Sequence, residues 1–197
     1  MFVRMDHVSI KERSAGVNQR GVRDHNERLI LSILFRHRAV SAAEIARRTG
    51  LSRPTVSTIL RRLEDDGFVQ RGEPVKGKVG KPSIPIELGS EGALSVGMNL
   101  GRKSADLLLL DFAGNVRQQL RTTYDYPMPD AIFEFLKDGL ETLLFGLTAK
   151  QQGRVCGIGI GRPFELWKWH DLTGPAAEEF QSWQDVDFAT EVACFSD

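Results

Sequence analysis

Ser52, Arg53, Thr55, Ser57, Thr58 and Arg61 fall within one short run, SRPTVSTILRR, and supply small hydroxyls and guanidinium forks at close spacing. Such groups hydrogen-bond base edges and phosphate oxygens. Further along, Lys76, Lys78 and Lys81 stand in EPVKGKVGKP, a stretch rich in glycine, proline and lysine. Lysines on a glycine-bearing tip can follow a minor groove or flanking phosphates, and each phosphate neutralised contributes about −0.9 to the slope of log K against log salt.

The remaining reactive residues point to no catalytic centre. His7, His25, His37 and His170 are scattered without ligand spacing or a nucleophile partner. Cys156 and Cys194 lack CxxC or Cys/His spacing, so neither a disulfide framework nor a zinc site is implied, and both read as ordinary buried thiols. No catalytic residue, cofactor or metal is expected. Gly72 to Lys78 nearly spells a phosphate loop, but Val79 replaces the magnesium-binding Ser/Thr and no helix follows, so the segment reads as a hairpin tip. Gly157, Gly159 and Gly161 form GxGxG after a strand, yet Pro163 follows and no helix opens; close backbone packing is the expected role. Phe164, Trp167 and Trp169 could stack on a sugar, although clustered aromatics more often cover a core.

The elements that must carry the first cluster are legible. From Asn26, Leu29, Ile30, Ile33 and Leu34 recur at helical spacing, which predicts a helix ending near His37. In SAAEIARRTG, Ser41 can cap a short helix, with Glu44 reaching back to the free amide and Gly50 as the left-handed stop. A second helix starts after Leu51, with Ser52 as N-cap, Pro54 in the first turn and Val56, Ile59, Leu60 and Leu63 as its buried stripe, ending around Asp66 and Gly67. If that stripe faces inward, Pro54, Ser57, Thr58 and Arg61 project outward, with Arg53 and Thr55 at the flanks. Arg47, Arg48 and Arg62 are expected to meet backbone or solvent. FVQR and SIPIEL read as two strands flanking the basic tip. Two consecutive helices followed by a basic hairpin have the layout of a winged helix-turn-helix that binds double-stranded DNA.

Residues 1–17 show no sustained apolar periodicity and read as a mobile arm. Beyond Ser90, strands are expected near Ala93 to Leu100, Ala105 to Asp111 and Val116 to Thr123, the last two joined by Phe112-Ala113-Gly114-Asn115. A long helix is expected from Pro129 to Gln151, then a strand in RVCGIGI, then weak helical segments near Pro175 to Trp183 and Phe188 to Ala193. The order is βββαβ, opening as a meander.

A net charge of zero conceals a split: Arg20 to Ser90 carries 14 Lys/Arg against 8 Asp/Glu, and Glu91 to Asp197 carries 9 against 16. Phosphate favours the first part and is repelled by the second. No run approaches the ~20 apolar residues of a membrane span, and MFVRMDHVSI lacks the order of a signal peptide, so a cytoplasmic protein without membrane partners is expected.

NERLILSILFRHRAVSAAEIARRTGLSRPTVSTILRRLEDDGFVQ, with GKPSIPIEL, resembles the DNA-binding half of repressors of the ROK family, which groups sugar-responsive repressors with sugar kinases. SVGMNLGRKSADLLLLDFAGNV and VCGIGIGRPFELW resemble the start of that family's actin-like, ribonuclease-H-like kinase domain. The resemblance implies an α/β chain: a winged helix-turn-helix over residues 18–90, then a partial ribonuclease-H-like/actin-like βββαβ domain over 91–197. Where family kinases carry Asp-x-Gly-Gly-Thr, this chain has Asn99, Leu100, Gly101, Arg102 and Lys103, so the phosphate loop is not intact. The family's catalytic aspartate, sugar contacts and His/Cys zinc cluster lie further along than residue 197, so sugar binding and catalysis are expected to be absent or crippled. The expected function is sequence-specific transcriptional regulation, with repression of sugar-metabolism genes taken from the family and a homodimer from the paired half-sites such proteins read. A sugar kinase with a DNA-binding appendage and a truncated, incompletely folding repressor fragment are the alternatives.

Overall fold

The computed structural model describes residues 19–74, 84–163 and 182–193. The expected N-terminal arm, the wing lysines Lys76, Lys78 and Lys81, the aromatics Phe164, Trp167 and Trp169, the residues His7, His170 and Cys194, and most of the helix expected before Trp183 lie outside them. The described residues divide into two compact units, the first ending at Ala93 and the second made of Leu94–Leu110 and the chain from Val116 onward.

The first unit runs α1 (Gln19–His37), β1 (Val40–Ser41), α2 (Ala42–Thr49), α3 (Arg53–Asp65), β2 (Val69–Arg71) and β3 (Pro85–Leu88). It also includes Asp111–Asn115. β3 lies between β1 and β2 and is antiparallel to both, pairing Val40 with Ile86 and Val69 with Leu88. Ile30 and Leu34 of α1, Ile45 of α2, the α3 stripe Val56, Ile59, Leu60 and Leu63, and Val69, Ile86 and Leu88 of the sheet form one buried cluster. Full burial of each large aliphatic side chain is worth about 1.5–3 kcal/mol, which makes this shared core, and not helix propensity, the source of order in the short α2.

Two features differ from the sequence reading. Helix α1 begins at Gln19, well before Asn26, because residues 20–25 are exposed and offer no apolar stripe to detect. Strand β1 is two residues long and therefore shows no alternation. At the end of α1, Arg38 adopts the left-handed conformation (φ 65°) usual for glycine; its amide donates to the Leu34 carbonyl at 2.8 Å and its guanidinium to the Ala113 carbonyl at 2.8 Å.

The second unit runs β4 (Leu94–Leu100), β5 (Ser104–Asp111), β6 (Val116–Thr123), α4 (Pro129–Phe145), α5 (Ala149–Gln152) and β7 (Val155–Gly161), then a 3₁₀ turn (Ser182–Gln184) and α6 (Phe188–Ala193). The sheet order is β6-β5-β4-β7, a meander with β7 added parallel to β4. Alternate residues of β5 are buried, and Leu107 and Leu109 share a core with Ile132, Leu136 and Leu143 of α4. Trp183 closes this core: its indole N–H donates to the Pro127 carbonyl at 2.7 Å, and its ring stacks on Phe188 with centroids 5.3 Å apart. The expected single helix from Pro129 to Gln151 is broken after Phe145. Thr148 and Gln151 form a reciprocal capping box that restarts it as α5, and the apolar spacing of Leu143, Leu144 and Leu147 runs across the break without registering it.

β7 corrects two further expectations. Its pairing with β4 shifts register between Leu94/Val96 and Val155/Ile158, and Gly157 takes φ 147° at this bulge. A side chain at Gly159 would meet open space, and one at Gly161 only ordinary contacts, so these two glycines do not serve close packing. Cys156 sits at the same bulge and is exposed, not buried, because the extra residue places it outside the alternation.

Gly89 donates its amide to the Phe68 carbonyl at 2.9 Å, and an added Cβ would collide with the Gly67 carbonyl. Gly89→Ala should destabilise the first unit by about 1–3 kcal/mol, read as a lower urea midpoint of its helical signal. Tyr124 donates to the Gly101 carbonyl at 2.8 Å; burial first, and then the charge of Asp106, push its phenol up to about 12. With a raised folded-state pKa, its contribution to stability is whole below the ordinary phenol value of about 10 and is lost as pH rises through about 12. Phenolate absorbance of a Tyr126→Phe variant should titrate near the upper value; a midpoint near the ordinary one would show that the Tyr124 ring is not held in its buried site beside Asp106.

Candidate nucleic-acid interface

The helix-turn-helix is built by caps. Ser41 Oγ accepts the Glu44 amide at 3.2 Å, and Gly50, at φ 70°, donates its amide to the Ala46 carbonyl at 3.0 Å to end α2. Ser52 Oγ accepts the Thr55 amide at 3.3 Å and opens α3, with Pro54 in its first turn. Three residues, Gly50 to Ser52, therefore separate the two helices. Only half of the expected capping box at Ser41 forms, because the Glu44 carboxylate turns to Arg48 and Arg47. The Arg48 hydrogen bond, opposed by some desolvation and aided by Arg47, holds that carboxyl below its ordinary pKa.

Burial of Val56, Ile59, Leu60 and Leu63 fixes the rotation of α3. Ser52, Arg53, Pro54, Thr55, Ser57, Thr58 and Arg61 are all exposed, as the spacing requires. The structure thus brings the whole α3 set onto one helix, while the three wing lysines are outside the described residues. β2 and β3, which flank that wing, pair Val69 with Leu88, Gln70 with Glu87 and Arg71 with Ile86.

Ion pairs sort the arginines around this face, a feature that sequence periodicity does not register. Arg47 and Arg48 are held by Glu44, and Arg48 Nη1 also lies 2.7 Å from His37 Nε2. Arg62 reaches Glu27 at 3.5 Å and Asp66 at 3.9 Å, and Arg71 forks onto Glu64 at 3.0 and 3.1 Å. Arg47, Arg48 and Arg62 also lie against carboxylates; the acceptors lie on α1, on α2 itself and at the end of α3, where i,i+3 and i,i+4 spacing or packing brings them close. Among the described residues Arg53 and Arg61 have no such partner. Surface pairs of this kind add little stability, so their main effect is to decide which cations remain available. Arg53 lines an open cleft between α2 and the start of α3 together with Glu44 and Arg47.

Among the described residues, no group of three His, Cys, Asp or Glu is placed to hold a metal ion, and no helix is long and apolar enough to cross a membrane.

Residues 23–70 match the winged helix-turn-helix DNA-binding family. The helix-turn-helix of α2 and α3 lies within these residues. Among curated proteins, the chain is 29% identical over 143 residues to a Caldicellulosiruptor sp. (strain Rt8B.4) protein provisionally named a xylose repressor, a match covering 72% of this chain and 36% of that one. It is 21% identical over 175 residues to the xylose repressor of Bacillus subtilis (strain 168), covering 89% and 44%. Among solved structures, it is similar to a ROK family transcriptional regulator described as a homolog of the E. coli MLC protein, with a TM-score of 0.47 and 18% identity, covering 71% and 35%. The chain spans less than half the length of the curated relatives it matches. Two of these curated relatives are thus proteins named as xylose repressors.

Ser52→Ala removes the cap that starts α3. It should cost about 1 kcal/mol, visible as a lower thermal midpoint, and Ser52→Asp, which restores an acceptor, should recover most of the loss.

Proposed function

We propose that this chain is a sequence-specific transcriptional regulator, a cytoplasmic repressor of sugar-metabolism genes that grips operator DNA as a homodimer. The carrying observation is that, among the described residues, Arg53 and Arg61 on the exposed face of α3 have no carboxylate partner, while Arg47, Arg48 and Arg71 are paired and Arg62 lies 3.5 Å from Glu27. Ser52, Arg53, Thr55, Ser57, Thr58 and Arg61 make the recognition face, and Lys76, Lys78 and Lys81 of the wing neutralise flanking phosphates. Residues 18–90 bind DNA, and 91–197 serve assembly or sensing through a domain like that of the ROK sugar kinases. The dimer follows from the paired half-sites that helix-turn-helix proteins read.

In this reading the chain does not transfer phosphate. The β4–β5 turn, where the related kinases carry their phosphate loop, is tied up by its own contacts. Tyr124 bonds the Gly101 carbonyl, and Lys103 Nζ donates to the Asp125 carbonyl at 2.9 Å and sits 5.0 Å from the centre of the Tyr126 ring. A coupled ATPase assay over a panel of hexoses should give no turnover.

Fluorescence anisotropy of the protein with pooled promoter fragments, across a salt series, tests the DNA reading. Binding should be tight and weaken steeply with salt, and Lys76→Ala/Lys78→Ala should lower the log–log slope by about 2, at about 0.9 per phosphate contact. Affinity no greater than that of an unrelated basic protein would overturn the proposal.

A further inference from the structure

The exposed face of α3 is not a uniform row of hydrogen-bonding groups, because several of its protons are already spent. Thr58 donates its hydroxyl to the Pro54 carbonyl at 3.1 Å, which leaves only lone pairs and a methyl for a partner. One of the Ser52 and Thr55 hydroxyls donates to the other at 2.8 Å, so one proton of this pair is engaged at the start of the helix. The Ser57 hydroxyl and the Arg61 guanidinium have no acceptor among the described residues. They stand at i and i+4, about 6 Å apart along the helix axis, and so form one donor stripe. Asp65 is exposed one turn beyond Arg61. Its carboxylate disfavours a phosphate at that end of the helix, while leaving neutral base edges unaffected. Arg53 is placed differently, at the flank beside the α2 cleft with Arg47. The first helix of a helix-turn-helix crosses the DNA backbone on that side.

We infer that Ser57 and Arg61 are the base-reading donors of α3, that they take the O6 and N7 acceptors of guanine, and that Arg53 grips a phosphate. The guanine edge is the major-groove edge with two acceptors side by side, which matches the arginine fork. This assignment rests on the DNA-binding function proposed above and adds the chemistry of the base it selects.

The test is selection from a randomised duplex pool with the full chain, followed by anisotropy on the selected site and on versions with each guanine replaced. The variants are Arg61→Ala, Arg61→Lys and Arg53→Ala. The wild type should enrich guanine at one or two positions of each half-site. Arg61→Ala should lose that preference by about tenfold or more and keep the others. Arg61→Lys should lose it too, since a lysine has no fork, yet retain the wild-type salt slope. Arg53→Ala should weaken all sequences alike and lower the slope by about 1. An unaltered guanine preference in both Arg61 variants overturns the assignment and leaves the proposed function standing. A wild type that enriches no sequence overturns the proposed function itself.

Discussion

The packing of α3 on its inner stripe is the constraint on which the rest of the first unit depends. Val56, Ile59, Leu60 and Leu63 can be buried together only in one rotation of the helix, in one cluster with Ile30, Leu34, Ile45, Val69, Ile86 and Leu88. That rotation places Ser57, Thr58 and Arg61 in solvent without any force acting on them directly. The caps then set where the helix starts. Gly50 stops α2 and Ser52 opens α3, so the N-terminal turn is presented beside α2 and not buried beneath it. The apolar core aims the helix; the polar caps decide which residues lead.

Charge pairing adds a second layer of selection on a surface crowded with guanidinium groups. Glu44 occupies two arginines, Glu27 and Asp66 occupy Arg62, and Glu64 occupies Arg71. Each pair is weak in water. A paired arginine must still break its own contact before it can meet another anion, a cost that Arg53 and Arg61 do not carry among the described residues. Of the six arginines on α2, α3 and β2, four lie against carboxylates, and among the described residues Arg53 and Arg61 do not.

The recognition helix was legible in the sequence because its determinants are local. Ser52, Pro54 and the four-residue apolar stripe are all contained in one segment, and each acts through its own turn of helix. The βββαβ order was legible for a similar reason, since the short apolar run Leu107–Leu110 ends at the turn Phe112-Ala113-Gly114-Asn115, which leads into Val116–Thr123. The features that were not legible depended on partners distant in sequence or on the absence of a pattern. β1 exists only because Ile86 and Pro85 pair with Val40 and Ser41. The first turns of α1 have no buried face, and the bulge that exposes Cys156 is a property of the β4–β7 register, invisible in either strand alone. The ion pairs on Arg62 and Arg71 link residues brought together by folding, as do the bonds of Arg38 to Ala113 and Tyr124 to Gly101.

The opposed charges of the two parts complete the electrostatic argument. The excess of cations lies between Arg20 and Ser90, and the excess of anions lies beyond. A polyanion approaching such a chain is attracted by one part and repelled by the other over distances of about a Debye length, ~8–10 Å at ordinary salt, before any contact forms. Within the attracting part, short-range pairing has already withdrawn most of the arginines beside the recognition helix. Long-range charge therefore favours the first part as the one a polyanion approaches, and the ion pairs set which of its arginines already lie against a carboxylate. The first depends only on composition and was present in the unfolded chain, whereas the second exists only after folding brings Glu27 to Arg62 and Glu64 to Arg71.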